Sequence, residues 1–147
     1  MKRFTQIICI VLVFAMVLST TAFAAEIPSV DPRASIFFAA SSVYFWHVSG
    51  NSYQIWFDVT SKGTMQKLGA SYITVERSTD LVNWDPAGSY DMDDYSQMTG
   101  SNTSNYANYV PFTATTGYAY RAIVTLYAKN STGTGEMDET TTLLDLR

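Results

Sequence analysis

The stretch YRAIVTLYAK, residues 120–129, alternates apolar and more polar side chains with a period of two. This alternation is typical of a strand that buries one face and leaves the other in contact with water. The apolar set is Tyr120, Ala122, Val124, Leu126 and Ala128. No window after residue 24 has the apolar spacing of a long amphipathic helix, so the sequence predicts an all-β fold.

Other segments give the same strand signal. Tyr53, Ile55, Phe57 and Val59 alternate with wetter side chains, and residues 72–77 repeat the pattern. Further strands are predicted at 36–48, 81–90, 106–114 and 137–144. Pro86 places the strand at 81–90 on a sheet edge, because proline cannot donate to the ladder. About seven short strands in one domain predict a two-sheet antiparallel β-sandwich, with a small barrel as the alternative.

Two loops are expected to interrupt these strands. Gly63 and Gly69 bracket a segment that is predicted to cross between strands. Residues 91–105 are polar, acidic and rich in turn formers, and are predicted to form the longest loop.

The first 24 residues have the pattern of a cleaved signal peptide. Lys2 and Arg3 precede an apolar run at residues 7–18, and Ala22-Phe23-Ala24 supplies a small-x-small cleavage site. As a helix the apolar run spans about 18 Å, short of the roughly 30 Å hydrocarbon core of a bilayer. The predicted organisation is a signal peptide at 1–24, a flexible leader at 25–34 and the β-sandwich domain at 35–147. The protein is therefore expected to be secreted and to remain extracellular or associated with the cell surface.

Charge and cysteine content exclude several classes of partner. Removing Lys2 and Arg3 with the signal changes the net charge from −4 to −6, which disfavours nucleic acid and anionic lipid. The one cysteine, Cys9, leaves with the signal, so no disulfide or zinc-thiolate site is expected. No stable membrane insertion is expected after cleavage, and Pro86 with nearby charges favours a monomer by discouraging edge pairing.

Residues 117–124, GYAYRAIV, resemble the penultimate strand of immunoglobulin-like and fibronectin type III sandwiches. The resemblance implies that the hydroxyl of Tyr120 folds back onto the preceding corner. Ser78-Thr79-Asp80 followed by Trp84 likewise looks like the turn and edge strand of such modules.

More narrowly, the chain is similar to a group of uncharacterised small secreted proteins of Gram-positive bacteria. The matching segments are residues 63–70, 98–102 and 117–124. The resemblance implies a fold and an extracellular location, and it brings no catalytic residues.

The aromatic residues are the main candidates for ligand binding. Tyr44, Trp46, Trp56 and Trp84, with Tyr106 and Tyr109, exceed what one thin core needs. Trp56 has the phase opposite to Ile55 and Phe57, so it is expected on the face away from the core. Exposed there, the rings would stack on sugars or contact a protein partner. The alternative is that Trp56 packs under a loop or the leader.

A calcium site is a second hypothesis. Asp91, Asp93, Asp94 and Asn102 supply oxygen ligands in the predicted 91–105 loop. The EF-hand template fails, because its sixth position is Ser96 and its twelfth is Asn102. The alternative is a solvated acidic loop, and no other cofactor is expected.

A minimal hydrolase centred on the one histidine, His47, is a further hypothesis. No Gly-x-Ser-x-Gly motif accompanies it, and an ordinary strand residue is the favoured interpretation. We therefore expect a secreted, non-enzymatic β-sandwich protein that binds an unknown protein or glycan surface at the cell envelope or in the medium. A small carbohydrate-binding module is the alternative, and a hydrolase around His47 is less favoured.

Overall fold

The structure is a computed structural model that describes residues 34–147. Its elements are α1 (Ala34–Phe37), β1 (Phe38–Ser49), β2 (Ser52–Ser78), β3 (Asp85–Asp91), a 3-10 turn (Ser96–Met98), β4 (Thr99–Thr113), β5 (Ala119–Asn130), β6 (Gly133–Thr140) and β7 (Leu144–Asp145). The predicted signal peptide and all of the predicted leader except Ala34 lie outside the described residues. No helix within residues 34–147 has the length and apolar character needed to cross a membrane.

All seven strands belong to one antiparallel sheet, curled like a half-barrel. The first half of β2 (52–61) pairs with β1 on one edge and β4 on the other. Its second half (67–78) pairs with β5 on one edge, and with the start of β4 (at 67–69) and then β3 (at 72–77) on the other. β6 and β7 pair with β5. The predicted all-β antiparallel fold is confirmed. Two separate sheets are not shown, because β2 runs through both halves, and an immunoglobulin-like or fibronectin type III-like topology stays a prediction.

The predicted crossing loop between Gly63 and Gly69 is wrong, because this segment lies inside the 27-residue strand β2. The two glycines mark a bend instead of a break. Pairing with β4 is irregular between Thr60 and Met65, and pairing with β5 is irregular between Ala70 and Tyr72. Such bulges bend a strand and increase its twist, which lets β2 continue while the sheet curls.

The loop predicted at 91–105 is shorter than expected. Only residues 92–98 connect β3 to β4, and Thr99, Gly100 and Ser101 already pair with β2. β4 is an edge strand, since it pairs only with β2, and its exposed start does not require an apolar face. Its polar sequence therefore resembles that of a loop. β3 begins at Asp85 rather than at residue 81 and pairs only with β2, which confirms the edge position of Pro86.

The inward-facing residues that the alternation predicted form a large part of the core, which also contains Met65, Leu68 and Met98 from the two predicted loops. The predicted residues in β2 and β5 are fully or almost fully buried: Tyr53, Ile55, Phe57, Val59, Ile73, Val75, Tyr120, Ala122, Val124, Leu126 and Ala128. Each large apolar side chain in this set contributes about 1.5–3 kcal/mol by leaving water. The core therefore requires one face of β2 to point inward along both halves.

Tyr120 links the two halves of the curled sheet. Its ring lies 5.2 Å from that of Phe112, and its hydroxyl donates to the Thr115 carbonyl oxygen at 3.1 Å and accepts from the Thr115 N–H at 2.9 Å. Phe112 pairs with Tyr53 near the start of β2, and Tyr120 pairs with Arg77 near its end. The expected return of the Tyr120 hydroxyl to the preceding corner is confirmed.

Gly69 has no room for a side chain, and we predict that Gly69→Ala destabilises the fold. Its φ is +152°, and a Cβ there would overlap the carbonyl oxygen of Met98 and the Cα of Thr99, which are backbone atoms. Overpacking of this kind costs about 1–3 kcal/mol. Chemical denaturation followed by circular dichroism measures the loss.

Gly63→Ala is the matched control in the same strand. A Cβ at Gly63 meets nothing within 4 Å, so this variant is expected to keep the wild-type midpoint. Equal midpoints for Gly69→Ala and the wild type would contradict the close approach of the Met98 carbonyl to β2.

Candidate ligand-binding face

Three aromatic side chains form a continuous row across β1, β2 and β4. The rings of Tyr44 and Trp56 are almost parallel, with an interplanar angle of 4° and centroids 6.4 Å apart. On the other side of Trp56, the ring of Tyr109 lies at 5.0 Å with a tilt of 37°. We call these three residues the aromatic row.

Strand register produces the aromatic row. Trp56 is paired directly with Tyr44 on one neighbouring strand and with Tyr109 on the other, and directly paired side chains lie on the same face of a sheet. Its neighbours Ile55 and Phe57 are fully buried, so Trp56 points away from the core. Tyr44 and Tyr109 are 38% and 37% exposed. The predicted outward phase of Trp56 is therefore confirmed.

Trp46 lies two residues beyond Tyr44 on β1 and therefore on the same side of the sheet. It is 58% exposed and is paired with Gln54, whose Oε1 accepts a hydrogen bond of 2.9 Å from Nε1 of Trp56. This bond restrains the orientation of the Trp56 indole. We call the water-facing side of β1, the first half of β2 and β4 the outer face.

Polar residues adjoin the aromatic row on the side opposite to Trp46 and Gln54. Asp58 is two residues beyond Trp56 and paired with Ser42, and Asn105 donates from Nδ2 to Thr60 Oγ1 at 2.8 Å and to Asp58 Oδ1 at 3.5 Å. A shallow depression of about 140 Å³ is lined here by Ala40, Ser41, Ser42, Asp58 and Thr60. The outer face therefore combines flat rings with hydrogen-bonding groups.

Trp84 does not belong to the outer face. The guanidinium carbon of Arg121 lies 4.3 Å from the centre of its ring, and Arg121 Nε is 2.6 Å from Glu76 Oε2. Both partners lie in the second half of the sheet. The predicted set of Tyr44, Trp46, Trp56 and Trp84 is thus divided, with the first three together and Trp84 apart.

Sequence reasoning placed Tyr109 among the surplus aromatics and did not assign Asp58, Thr60 or Asn105 to the site. Tyr109 precedes the buried Val110, so alternation alone indicates its outward phase. The positions of Asp58 and Asn105 beside each other depend on the pairing of β2 with β4, which no local pattern reveals. By contrast, Tyr106 turns inward, where its ring lies 6.4 Å from Phe57 and its hydroxyl donates to the Gln97 carbonyl.

Asp91 and Asn102, two of the four predicted calcium ligands, lie at different levels of the sheet. Asp91 Oδ1 accepts the Asp93 N–H at 2.9 Å, which is a local turn bond. Asp91 pairs with Tyr72, whereas Ser101, next to Asn102, pairs with Lys67 five positions away along β2. This separation is about 17 Å at the rise of a strand. Among residues 34–147, no three His, Cys, Asp or Glu side chains cluster around a common metal position, and calcium binding stays a prediction.

His47 lies on β1 near the hairpin to β2. Its Nε2 is 3.0 Å from the carbonyl oxygen of Gly50, and its ring lies 5.0 Å from that of Tyr53. The imidazole is therefore engaged with a backbone carbonyl and an aromatic ring.

A dense hydrogen-bond network fixes the loop that carries Trp84. Asp80 Oδ1 accepts the backbone N–H groups of Val82 and Asn83, both at 2.8 Å, and Asp80 Oδ2 accepts the Asn83 side-chain amide at 2.7 Å. Ser78 Oγ donates to Asp80 Oδ1 at 2.9 Å. These bonds, led by that from the Asn83 backbone, hold the pKa of Asp80 well below its usual range. The expected turn at Ser78-Thr79-Asp80 is confirmed.

Comparison with known proteins gives no match, whether to a protein-family model, to a curated protein or to a solved structure. Function is therefore inferred from the geometry of the outer face.

We predict that Asp80→Asn lowers the melting temperature at pH 7, because the charged carboxylate strengthens its hydrogen bonds. A folded-state pKa below the unfolded value of 3.8 gives stability that is complete above pH 3.8 and is lost as the pH falls towards the folded-state pKa. The difference in melting temperature between the wild type and Asp80→Asn should therefore be smaller at about pH 2.5 than at pH 7. Thermal melts at the two pH values measure it.

Asp93→Asn is the control, since the structure gives the exposed Asp93 side chain no hydrogen bond, and calcium-free buffer removes any metal contribution. It is expected to melt with the wild type at both pH values. If Asp80→Asn melts with the wild type at pH 7, or if the difference in melting temperature grows in acid, the role of the Asp80 carboxylate is refuted.

Proposed function

We propose that this protein is an exported, non-enzymatic binding protein that acts through its outer face on a surface at the cell envelope or in the medium. The observation that carries the proposal is the row of Tyr44, Trp56 and Tyr109, with Trp46 beside it, on the water-facing side of the sheet. Tyrosine and tryptophan supply large contact areas at a low cost in side-chain entropy, and they dominate binding energy at many interfaces.

The rings are held in place before any ligand arrives. Trp56 contacts Tyr44 and Tyr109 on its two sides, and its indole nitrogen is hydrogen-bonded to Gln54. The side chains of the aromatic row and of Trp46 all project from paired strands and not from loops. Binding therefore requires little further ordering, which supports a role in recognition.

Export is supported by the sequence of the first 24 residues, where a basic start precedes an apolar run and Ala22-Phe23-Ala24. A non-enzymatic role is supported by His47, whose Nε2 contacts the Gly50 carbonyl oxygen and not a carboxylate. We also propose that the protein is a monomer, because Pro86 in the edge strand β3 discourages pairing with a second copy.

We further propose that the two halves of the curled sheet correspond to the two layers of an immunoglobulin-like or fibronectin type III-like sandwich, with β2 shared between them. The contact between Phe112 and Tyr120 supports this, since it joins residues paired with opposite ends of β2.

A small carbohydrate-binding module is the second candidate. The exposed rings of Tyr44 and Trp46 favour it, because exposed aromatic rings stack on the flat C–H faces of sugars.

We predict that purified mature protein sediments with insoluble cell-envelope material of a Gram-positive bacterium, and that Trp56→Ala and Trp46→Ala reduce the bound fraction. Loss of one aromatic contact at the centre of an interface weakens binding by about tenfold. Trp46 is 58% exposed, so its replacement tests binding with little effect on the core.

Tyr72→Ala is the matched control. Tyr72 is 40% exposed on the second half of β2, away from the aromatic row, and its loss is expected to leave sedimentation unchanged. Circular dichroism verifies that each variant is folded. Sedimentation that is absent, or equal for folded Trp46→Ala and wild type, would rule out the outer face as the contact surface.

A further inference from the structure

We infer that the ligand of the outer face is an uncharged glycan chain, and that Asp58, Thr60 and Asn105 form a polar subsite beside the aromatic row that bonds its hydroxyl groups. This inference rests on the proposed binding function and names its ligand class.

The polar subsite continues the aromatic row along the strands. The pair Ser42 and Asp58 follows the pair Tyr44 and Trp56 after two residues on each strand, which is about 7 Å. The depression of about 140 Å³ begins at this pair. An extended ligand that lies on the aromatic row along the strands therefore brings its next portion over the Asp58 carboxylate.

The chemistry of the polar subsite matches hydroxyl groups. Asp58 is exposed and its carboxylate accepts hydrogen bonds. Asn105 offers its side-chain carbonyl as an acceptor, since its amide nitrogen already donates to Thr60 and Asp58. Thr60 offers a hydroxyl oriented by Asn105 at 2.8 Å. A sugar ring presents apolar C–H faces and a rim of hydroxyls, which correspond to the row and the subsite respectively.

Charge selects among glycans. The strand segments that form the outer face, residues 38–49, 52–61 and 99–113, contain no Lys or Arg. Lys62, two residues beyond Thr60, lines the adjoining cleft of about 440 Å³, which contains the acidic Glu139 and shares Ala40 and Ser41 with the depression. A sugar carboxylate or phosphate over the subsite would meet Asp58 and no cation of these segments, so anionic polysaccharides are disfavoured.

The arrangement of apolar area favours a glycan over a protein partner. Protein interfaces usually have a contiguous apolar centre that is depleted of charged groups. Here the aromatic row is flanked by Gln54 on one side and by the Asp58 carboxylate on the other. A protein contact centred on Trp56 would desolvate Asp58, whereas a hydroxylated ligand hydrogen-bonds to it.

The test is affinity gel electrophoresis of the mature protein in neutral polysaccharides (hydroxyethyl cellulose, xylan and galactomannan) and in anionic ones (carboxymethyl cellulose and polygalacturonate). At least one neutral polysaccharide is expected to retard the wild type, and neither anionic one should do so comparably. Tyr44→Ala should bind about tenfold more weakly, whereas Tyr72→Ala, which removes a tyrosine of similar exposure, should bind normally.

Asp58→Asn tests the charge selection directly. It removes one negative charge and keeps a polar group of the same shape, so binding to carboxymethyl cellulose should tighten by about threefold at low ionic strength. No gain for this variant, or equal retardation of the wild type by hydroxyethyl cellulose and carboxymethyl cellulose, would overturn the role of Asp58.

The glycan inference fails if no neutral polysaccharide retards the folded wild type. Protease treatment of the envelope material separates this failure from that of the proposed function. Sedimentation that requires Trp46 and disappears after protease treatment keeps the outer face as a binding surface and assigns it a protein partner. Sedimentation that survives the treatment supports the glycan.

Discussion

Hydrogen bonding along both edges of β2 is the constraint on which the rest of the structure depends. Four strands pair directly with β2, and the other two are attached through β5. Because β2 is 27 residues long and bends without breaking, one strand supplies the centre of both halves of the sheet. Its irregular pairing at Thr60–Met65 and Ala70–Tyr72 permits the curl that encloses the core.

The same pairing separates the core from the outer face. Ile55 and Phe57 are fully buried, and the intervening Trp56 points outward between Tyr44 and Tyr109. A slip of one residue in register would exchange the two faces, exposing core side chains and burying the row. The energy of core burial therefore also fixes the geometry of the aromatic row, so that stability and recognition have a common structural origin.

Local sequence patterns predicted part of this arrangement. Alternation located the buried faces of β2 and β5 and the outward phase of Trp56, and the resemblance identified the role of the Tyr120 hydroxyl. Gly63 and Gly69 predict the ends of a loop, and this prediction is wrong because a glycine at a bulge cannot be distinguished from a glycine in a loop by sequence alone. The separation of Trp84 from Trp46 and Trp56, and the meeting of Asp58 with Asn105, depend on pairing between distant segments. Such pairing becomes visible only when the register is known.

Hydrogen exchange at the amides of Leu68, Gly69 and Ala70 tests the continuity of β2 most directly. This segment has strand partners on both sides, β5 throughout and β4 along Leu68 and Gly69. We expect these amides to exchange as slowly as those of Ile55 and Val75, through global unfolding. Exchange as fast as that of the loop at 79–84 would contradict a continuous β2, because β2 would then be two strands joined by a loop.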